Sequence, residues 1–222
     1  MHWLEIMISK EIVIVGAGGF AKEILGYIDF DNAQGSKIKI KGIIDDDASK
    51  MSSMPSDVKY LGGIESYHPS SEELLLVCLG ANPTRKKIIN MLISKGASFF
   101  SYISSLAYVN ASAKLGDGIF IAPFCMVNAN VSLGDHALLN SYSAIGHDCT
   151  IGQHAILYPY AAINGSCQVG SDLVMGTRST IFPGVTIGNN CTITTHSYVK
   201  NNKGDNRFIH QKAKEMDLEN RL

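Results

Sequence analysis

The sequence lacks a long apolar run, an excess of charge of one sign, and a leader-like start. The longest purely apolar run, Leu74 to Leu79, is far too short to cross a bilayer. Nineteen basic and twenty acidic side chains give a net charge of -1, so there is no basic excess to bind nucleic acid or anionic lipid. The residues from Met1 to Glu5 show no basic region followed by an apolar one, so we expect no signal peptide.

A cysteine pairing pattern is missing as well. The five cysteines are an odd number and form no CxxC pair, which favours a reducing, cytoplasmic compartment over a disulfide framework. Apolar residues are abundant, because 45% of the 222 residues are hydrophobic and only 18% are charged. This balance excludes a disordered chain, and a chain of this length can bury its core without disulfides or metals.

Residues 1–98 alternate short apolar segments with helical ones. The apolar segments span residues 11–15, 39–44 and 74–79. A glycine loop at 16–19 follows the first segment and leads into helical spacing over 20–28, while the acidic run 45–47 follows the second segment. A further helical segment, 84–95, follows the third. Buried apolar strands that alternate with helices predict a small, Rossmann-like parallel α/β domain.

The second part of the chain is an internal repeat. Glycines recur at intervals of 18 residues, at Gly116, Gly134, Gly152, Gly170 and Gly188. An apolar residue stands at every sixth position from Ile103 to Val199, and the residue two places before it is mostly small. One flat strand and one turn per six residues, three to a coil, predict a parallel β-helix over residues 99–200. The polar remainder, 201–222, is expected to be a tail with a short helix at 211–220.

Positions 18 apart stack in neighbouring coils, so the period also predicts columns of side chains. We interpret one column as an aromatic ladder with a cation over its end; it holds Phe124, Tyr142, Tyr160, Arg178 and His196. A second column, of His136, His154 and Asp172, has residue types that could hold a metal. These are turn positions in a protein that needs no metal to fold, so we expect no metal site. Four of the five cysteines occupy small inward positions, which favours a packing role.

Several motifs carry a resemblance to a known family. They are Gly16-Ala17-Gly18-Gly19-Phe20-Ala21-Lys22, Ile44-Asp45-Asp46, the segment from Gly80 to Ile88, Val127-Asn128-Ala129, and the segment from Asn140 to Cys149. Over roughly residues 11–200 the chain resembles the bacterial sialic-acid O-acetyltransferase and amino-sugar N-acetyltransferase family of the NeuD/PglD type. The resemblance implies a left-handed winding of the β-helix. It also implies a homotrimer that binds acetyl-CoA in the groove between neighbouring prisms and shares its active sites between subunits.

The same resemblance implies a set of site residues. The family's catalytic pair is a histidine followed by an acidic residue, and at that place this chain has His147-Asp148. The nucleotide-sugar substrate is expected at Gly16, Gly18, Gly19, Phe20, Asp45 and Asp46. Acetyl-CoA is expected along one groove of the prism, at Asn140, Gly165, Gly176 and Thr177.

The chemistry of acetyl transfer suits these residue types. An imidazole can take the proton of an attacking amine, and a neighbouring carboxylate can fix the tautomer of the ring. Backbone N–H groups at a glycine turn, of which Gly165 is the natural candidate, can stabilise the oxyanion. The sequence has no GxSxG motif and no other plausible nucleophile, which favours direct transfer over an acyl-enzyme.

The expected function is acetyl-CoA-dependent N-acetylation of a nucleotide-linked amino sugar, expected to be a 4-amino-4,6-dideoxy sugar, in surface polysaccharide or glycan biosynthesis. Two alternatives stay open: O-acetylation of a sialic acid, and a non-catalytic nucleotide-sugar-binding scaffold. The pattern Gly16-x-Gly18-x-x-Ala21, with Asp45, also fits a dinucleotide fingerprint and hence an NAD enzyme, although the domain supplies one mononucleotide half only. The sequence does not choose among UDP, dTDP and GDP.

Overall fold

The N-terminal unit of the protein is a four-stranded parallel sheet with helices between its strands. The computed structural model describes residues 10–80 and 82–211. The strands, in the sheet order β3-β2-β1-β4, are β1 (Glu11–Val15), β2 (Ile40–Ile44), β3 (Tyr60–Gly62) and β4 (Glu73–Val77). Between them lie helix α1 (Gly19–Ala33), a 3-10 helix (Ala48–Ser53) and, after β4, helix α2 (Asn82–Ser94). The expected Rossmann-like domain is confirmed.

The order of these elements follows from how their apolar residues are spaced. Strands β1 and β4 are apolar almost throughout and are buried on both faces, as parallel strands between covering layers are. Helix α1 buries one stripe, of Ala21, Ile24, Leu25 and Ile28, at helical spacing. After α2 the chain pairs once more with β4, where the Phe100 N–H donates to the Leu75 carbonyl at 2.9 Å. This pairing carries the chain to the second unit.

The second unit is a left-handed parallel β-helix of triangular section, as expected, built from two-residue strands. The face against the N-terminal unit, here the domain face, contains β5 (Tyr102–Ile103), β8 (Phe120–Ile121), β11 (Leu138–Leu139), β14 (Ile156–Leu157), β17 (Val174–Met175), β20 (Thr192–Ile193) and β22 (Phe208–Ile209). The next face, the open face, contains β6 (Tyr108–Val109), β9 (Met126–Val127), β12 (Ala144–Ile145), β15 (Ala162–Ile163), β18 (Thr180–Ile181) and β21 (Tyr198–Val199). The polar face contains β7 (Lys114–Leu115), β10 (Ser132–Leu133), β13 (Thr150–Ile151), β16 (Gln168–Val169) and β19 (Thr186–Ile187).

Corner turns join the three faces. Every sixth residue from Gly118 to His196 has a positive φ, although only Gly118 and Gly184 in that series are glycines. The left-handed conformation at this position turns the chain by one corner, and the apolar residue before the next turn points inward. Four cysteines fill the small inward positions with at most 1% exposure, and they are free thiols: Cys125, Cys149, Cys167 and Cys191. Their predicted packing role fits this burial.

The β-helix continues beyond the expected boundary at residue 200. Strand β22 pairs with β20, with Thr192 opposite Phe208, and Lys203 bridges to Ile187. This last coil is two residues shorter than the others, because Asp205 accepts from the Asn189 N–H sixteen residues earlier, where other coils use eighteen. A strict period of 18 therefore misses it. The helix predicted at 211–220 lies, apart from Gln211, outside the described residues.

The two units share one continuous apolar core. On the domain face, Phe120 packs edge-on against Phe20 of α1 at 5.3 Å and stacks with Tyr102 at 5.2 Å between ring centroids. The buried carboxylate of Asp31 accepts a hydrogen bond from the Tyr102 hydroxyl at 2.7 Å and another from the Ser105 hydroxyl at 2.6 Å. The orientation of the N-terminal unit on the prism is thus fixed by packing and by polar contacts.

Two corners flank the domain face. The aromatic corner (turns 122–125, 140–143, 158–161 and 176–179) carries the expected ladder: neighbouring rings of Phe124, Tyr142 and Tyr160 lie 5.0 and 4.7 Å apart, and the Arg178 guanidinium lies 5.0 Å from the last ring centroid. The clasp corner (turns 134–137, 152–155 and 170–173) packs against α2.

No helix in the described part of the chain is long and apolar enough to cross a membrane.

Candidate active site

The third corner of the prism carries the predicted pair. This His147 corner (turns 128–131, 146–149 and 164–167) joins the open face to the polar face, opposite the domain face. Asp148 is its left-handed residue, with φ of 58°, and its N–H donates to the Ala129 carbonyl of the preceding coil at 2.9 Å. This bend brings the Asp148 Oδ2 to 2.7 Å from the His147 Nδ1. Adjacency in sequence does not establish a backbone bend between these two residues, and the structure contains one.

The carboxylate of Asp148 is held from two sides. Its Oδ1 accepts a hydrogen bond from the Asn130 amide at 2.9 Å, and its Oδ2 faces the His147 ring. The hydrogen bond from the Asn130 amide has the largest effect and the hydrogen bond with the imidazole the next largest. Together they hold the pKa of Asp148 below its usual range. An ionised Asp148 accepts from the Nδ1–H of a neutral ring, which leaves the His147 Nε2 as the free acceptor. Sequence reasoning missed Asn130, although its position 18 residues before Asp148 signals the contact.

Gly165 lies directly beneath the imidazole. A Cβ built on Gly165 would lie 2.7 Å from the His147 Nε2 and 2.8 Å from its Cε1, so no side chain fits there while the ring keeps its place. The Gly165 carbonyl accepts from the Gly184 N–H at 2.9 Å, but the Gly165 N–H has no acceptor within residues 10–80 and 82–211. A free backbone donor beside a free imidazole nitrogen is the arrangement that oxyanion stabilisation needs.

The pair is open to solvent in one chain. The side chains of His147 and Asp148 are 66% and 52% exposed, and the adjacent open face presents about half-exposed apolar side chains, among them Tyr108, Met126 and Tyr198. A general base works best where water is excluded. The dyad thus borders an apolar surface that none of the described residues of the chain covers.

The predicted substrate loop lies at the carboxyl edge of the N-terminal sheet. Gly16 has a φ of +100°, and a Cβ there would lie 2.7 Å from a methyl of Leu79. Helix α1 begins after Gly18 without any side-chain cap, and the N–H groups of Gly18, Gly19 and Phe20 have no acceptor in the described chain. Free N–H donors at a helix N-terminus are an arrangement that favours phosphate oxygens. The Phe20 ring packs against the domain face, so only the backbone of that residue faces this site.

The two predicted acidic residues differ. Asp45 is 4% exposed and accepts the N–H of Ala17 at 2.7 Å, whereas Asp46 is exposed at the loop surface. Burial alone would raise the pKa of Asp45, but the hydrogen bonds from Ala17, Asp47 and Lys50 outweigh it and hold the pKa below its usual value. Asp45 therefore carries a charge that the protein itself solvates.

The predicted acetyl-CoA residues do not share one groove of a single chain. Asn140, Gly176 and Thr177 lie at the aromatic corner, whereas Gly165 lies at the His147 corner. The expectation that Gly176 and Thr177 follow Gly165 along one groove is wrong for one chain, because a spacing of 11 or 12 residues is two thirds of a coil and moves the position to another corner. Gly176 and Thr177 instead line an open pocket of about 340 Å³ with Tyr158, beside the N-terminal unit.

The possible metal column at the clasp corner is engaged in other contacts. The His136 and His154 rings stack 5.3 Å apart, and Asp172 pairs with Lys86 of α2 at 2.7 Å. Arg85, also from α2, is 1% exposed and donates to the His136 carbonyl at 2.7 Å. Within the residues that the structure describes, no group of three or more histidines, cysteines or acidic residues could hold a metal ion.

The fold and this site define a class: hexapeptide-repeat β-helix proteins with an N-terminal Rossmann-like unit and a His–Asp pair at a prism corner. Residues 11–92 match the family model of the PglD N-terminal domain. A search of curated proteins found no match. Together with the solved structures described next, the match to the family model shows that the chain is similar to acetyltransferases of the NeuD/PglD type.

Solved structures resemble the chain over nearly its whole length. PerB from Caulobacter crescentus, in complex with CoA and GDP-perosamine, is 26% identical with a TM-score of 0.75, over 88% of this chain and 91% of that one. The acetyltransferase domain of PglB from Neisseria gonorrhoeae, in complex with acetyl coenzyme A, is 20% identical with a TM-score of 0.73, over 89% and 94%. WeeI from Acinetobacter baumannii is 20% identical with a TM-score of 0.70, over 88% and 93%. The latter two support the fold.

Proposed function

We propose that the protein is an acetyl-CoA-dependent N-acetyltransferase that acts on the amino group of a nucleotide-linked amino sugar. The observation that carries the proposal is the His147–Asp148 pair over Gly165, with Nε2 and a backbone N–H both free. The similarity to PerB, whose structure holds CoA and GDP-perosamine, supports both substrate classes. A 4-amino-4,6-dideoxy sugar and a cytoplasmic location are the finer parts of this proposal.

The residues of the chain divide the work as follows. The amine nitrogen of the sugar attacks the thioester carbonyl, and the His147 Nε2 accepts the proton that this nitrogen loses. His147 then returns the proton to the leaving sulfur. Asp148 orients the ring and stabilises the imidazolium, and the Gly165 N–H donates to the developing oxyanion. Acetyl-CoA supplies the activated acetyl group. The amine nitrogen gains a bond to carbon, the carbon–sulfur bond breaks, and no covalent enzyme intermediate is needed.

The free N–H groups at the start of α1 would hold the diphosphate of the sugar nucleotide. Gly18, Gly19 and Phe20 supply these donors, and the absence of an acidic residue in the first turn of the helix keeps the site attractive to anions. Ligands of open α/β sheets bind outside the carboxyl ends of the strands, which is where this loop and Asp46 lie.

We also propose a homotrimer with shared active sites. The glycine loop belongs to the unit that covers the domain face, while His147 lies at the opposite corner, so one chain does not bring the two together. The exposed apolar side chains of the open face, such as Met126 and Tyr198, would be covered by neighbouring prisms. That packing would bring the aromatic corner of one chain, with Asn140, Gly176 and Thr177, to the His147 corner of the next.

A thiol-release assay tests the activity. Wild-type protein with acetyl-CoA should release CoA in the presence of one UDP-, dTDP- or GDP-linked 4-amino sugar, and mass spectrometry should find the acetyl group on nitrogen. His68→Ala serves as the control, since His68 is exposed on the N-terminal unit and contacts only a local carbonyl. CoA release with a sialic acid instead would establish the O-acetyltransferase. If no acceptor of the panel supports CoA release, the proposal is contradicted.

Light scattering at micromolar concentration tests the assembly. The expected mass is three times 24.0 kDa, and a monomeric mass would refute the shared site.

A further inference from the structure

The glycine loop is fastened by a buried carboxylate. Asp45, directly after β2, accepts the Ala17 N–H through Oδ2 at 2.7 Å and the Asp47 N–H through Oδ1 at 2.9 Å. The ammonium of Lys50, from the 3-10 helix, lies 3.0 Å from Oδ1 and 3.3 Å from Oδ2. Both oxygens of Asp45 are thus engaged by the protein itself, and the side chain is almost fully buried.

The neighbouring Asp46 is in the opposite situation. It is exposed, and its one side-chain hydrogen bond among the described residues is a long one of 3.2 Å, which Oδ1 accepts from the Glu65 N–H. Its second oxygen is free to accept from a ligand hydroxyl or base. Of the two adjacent carboxylates at the end of β2, only Asp46 has acceptor capacity to offer a nucleoside.

The bond to Ala17 sets the direction of the loop. Gly16 is confined on one side by Leu79, and Asp45 holds the next peptide N–H on the other. With this peptide fixed, the following N–H groups, of Gly18, Gly19 and Phe20, keep their common direction at the start of α1. Charge-assisted hydrogen bonds of this kind are stronger than neutral ones, so the loop is ordered before a ligand arrives.

This arrangement carries an electrostatic cost that Lys50 removes. A bare carboxylate one residue from the free N–H groups would repel a diphosphate in the same place. The Lys50 ammonium spans both oxygens of Asp45, so the loop keeps its anchor without net negative charge. Lys50 is 45% exposed at its side chain, so it can also face a bound anion.

We propose that Asp45 and Lys50 form a positioning pair for the phosphate-binding loop, and that Asp46, not Asp45, contacts the nucleoside. This inference rests on the proposed function, since it assumes that the loop binds the diphosphate of a sugar nucleotide. It divides the two acidic residues, which the sequence leaves equivalent, into one that shapes the site and one that reads the ligand.

Separate probes for phosphate and nucleoside distinguish the roles. Pyrophosphate binding is followed by 31P NMR titration, and UDP, dTDP and GDP binding by calorimetry. Asp45→Asn should weaken pyrophosphate and the preferred nucleoside diphosphate by the same factor, about tenfold. Asp46→Asn should leave pyrophosphate binding unchanged and weaken only the nucleoside diphosphate. If Asp45→Asn binds pyrophosphate like wild type, Asp45 contacts the nucleoside and the inference is overturned.

Lys50 supplies the second, independent variant. Lys50→Met should weaken pyrophosphate binding because it leaves the Asp45 charge uncompensated, and Lys50→Arg should restore most of it. The double variant Asp45→Asn with Lys50→Met should lose less than the product of the single losses, because each single change strands the other group. Thermal unfolding of each variant checks that the fold is intact.

The failures are separable. Wild-type protein that binds neither pyrophosphate nor any of the three nucleoside diphosphates contradicts the proposed function of the loop and this inference with it. Wild-type binding that Lys50→Met leaves unchanged overturns the positioning pair alone.

Discussion

Two corners of the same repeat carry histidines with opposite environments. At the clasp corner, His136 and His154 are 7% and 6% exposed, stacked on each other beneath α2. At the His147 corner the imidazole is mostly exposed and bonded to Asp148. The turns follow the same six-residue backbone period, so local sequence does not create the difference. What packs on the corner decides whether a histidine is a core residue or a candidate base.

The difference extends to proton binding. Burial lowers the pKa of His136 to about 4, and the neighbouring His154 and Arg85 add to this effect. Burial likewise lowers the pKa of His154, against the opposing charge of Asp172. Both shifts favour the neutral form of these buried rings. The His147 side chain, in contrast, is 66% exposed, and its Nε2 has no hydrogen-bond partner among the described residues.

The largest expected effect comes from His147→Ala. It should lower kcat by about 10²-fold or more, the usual contribution of a general base, with little change in CoA affinity. The loss should shrink as pH rises, because more of the substrate amine is then already deprotonated. Steady-state kinetics across pH measure this. His154→Ala is the matched contrast, and should reduce thermal stability with a much smaller effect on kcat. Activity of His147→Ala within about threefold of wild type would place the base elsewhere.

Gly165→Ala should rank next, with kcat lowered by about tenfold or more, since a 1 Å displacement of a catalytic group can cost as much. The added methyl would stand 2.7 Å from the His147 Nε2 and push the ring off its position. Gly18→Ala is not a matched control, because that glycine belongs to the substrate loop; Gly26→Ala is, since a Cβ there meets nothing within 4 Å. Equal kcat for Gly165→Ala and Gly26→Ala would show that the ring position does not matter.

Asp148→Asn should cost less, roughly tenfold in kcat, because the imidazole remains. The backbone should tolerate it, since Asn130 and Asn190 adopt the same left-handed conformation. The hydrogen bonds that lower the pKa of Asp148 keep it charged below the pH at which ordinary carboxyls protonate. The fall of wild-type kcat at acidic pH should therefore not show the protonation of Asp148 in the usual range of a carboxyl group. A larger loss than for His147→Ala would contradict the assigned roles.

The buried corner predicts a pH effect on stability. The folded-state pKa of His136 is below its unfolded value of 6.5, so the unfolded chain binds more protons between these values and stability falls as pH drops from 6.5 towards 4. By linkage the loss between pH 7 and 5 is about 1 to 2 kcal/mol. Denaturant unfolding at the two pH values measures it. His136→Gln should reduce the dependence to the part that His154 contributes. An unchanged slope would mean that His136 binds protons equally in the folded and unfolded chains.

Lys86→Met should have the smallest effect, below about 1 kcal/mol in unfolding free energy, because its ion pair with Asp172 is partly solvated. Arg85→Met, which leaves a buried carbonyl unpaired, should cost more in the same unfolding assay. Equal costs would show that burial does not separate the two contacts.

Periodicity predicted the β-helix because each coil repeats the same physical problem, an inward aliphatic and a small inward partner. The aromatic ladder followed from the same spacing, since residues 18 apart must stack. The last coil escaped because Asp205 closes it two residues early. The spacing also identifies the corner of each residue: Gly176 and Thr177 lie 11 and 12 residues after Gly165, two thirds of a coil, and therefore at another corner of the same chain.

The site was predicted in type more than in detail. His147 and Asp148 are adjacent in the motif that carries the resemblance. Their hydrogen bond, however, depends on the left-handed backbone of Asp148, which the sequence does not show. Asp45 accepts from Ala17, 28 residues earlier in the chain, and from Lys50 in the following 3-10 helix, so its burial could not be predicted from the acidic run alone. Arg85 likewise contacts His136 across 51 residues. The Arg85 contact arises only when the two units dock.

The height of a coil sets distances along the prism in equal steps. Each coil advances the chain by one strand spacing, about 4.8 Å. An 18-residue insertion after the coil that contains His147 would lengthen the protein without moving the dyad from the N-terminal unit. The same insertion between Phe120 and Leu138 would add one coil between the contact of α1 with Phe120 and the contact of α2 with Asp172. The fit of the N-terminal unit on the prism is thus adjustable in fixed steps, by adding or deleting whole coils rather than by altering any residue of the site.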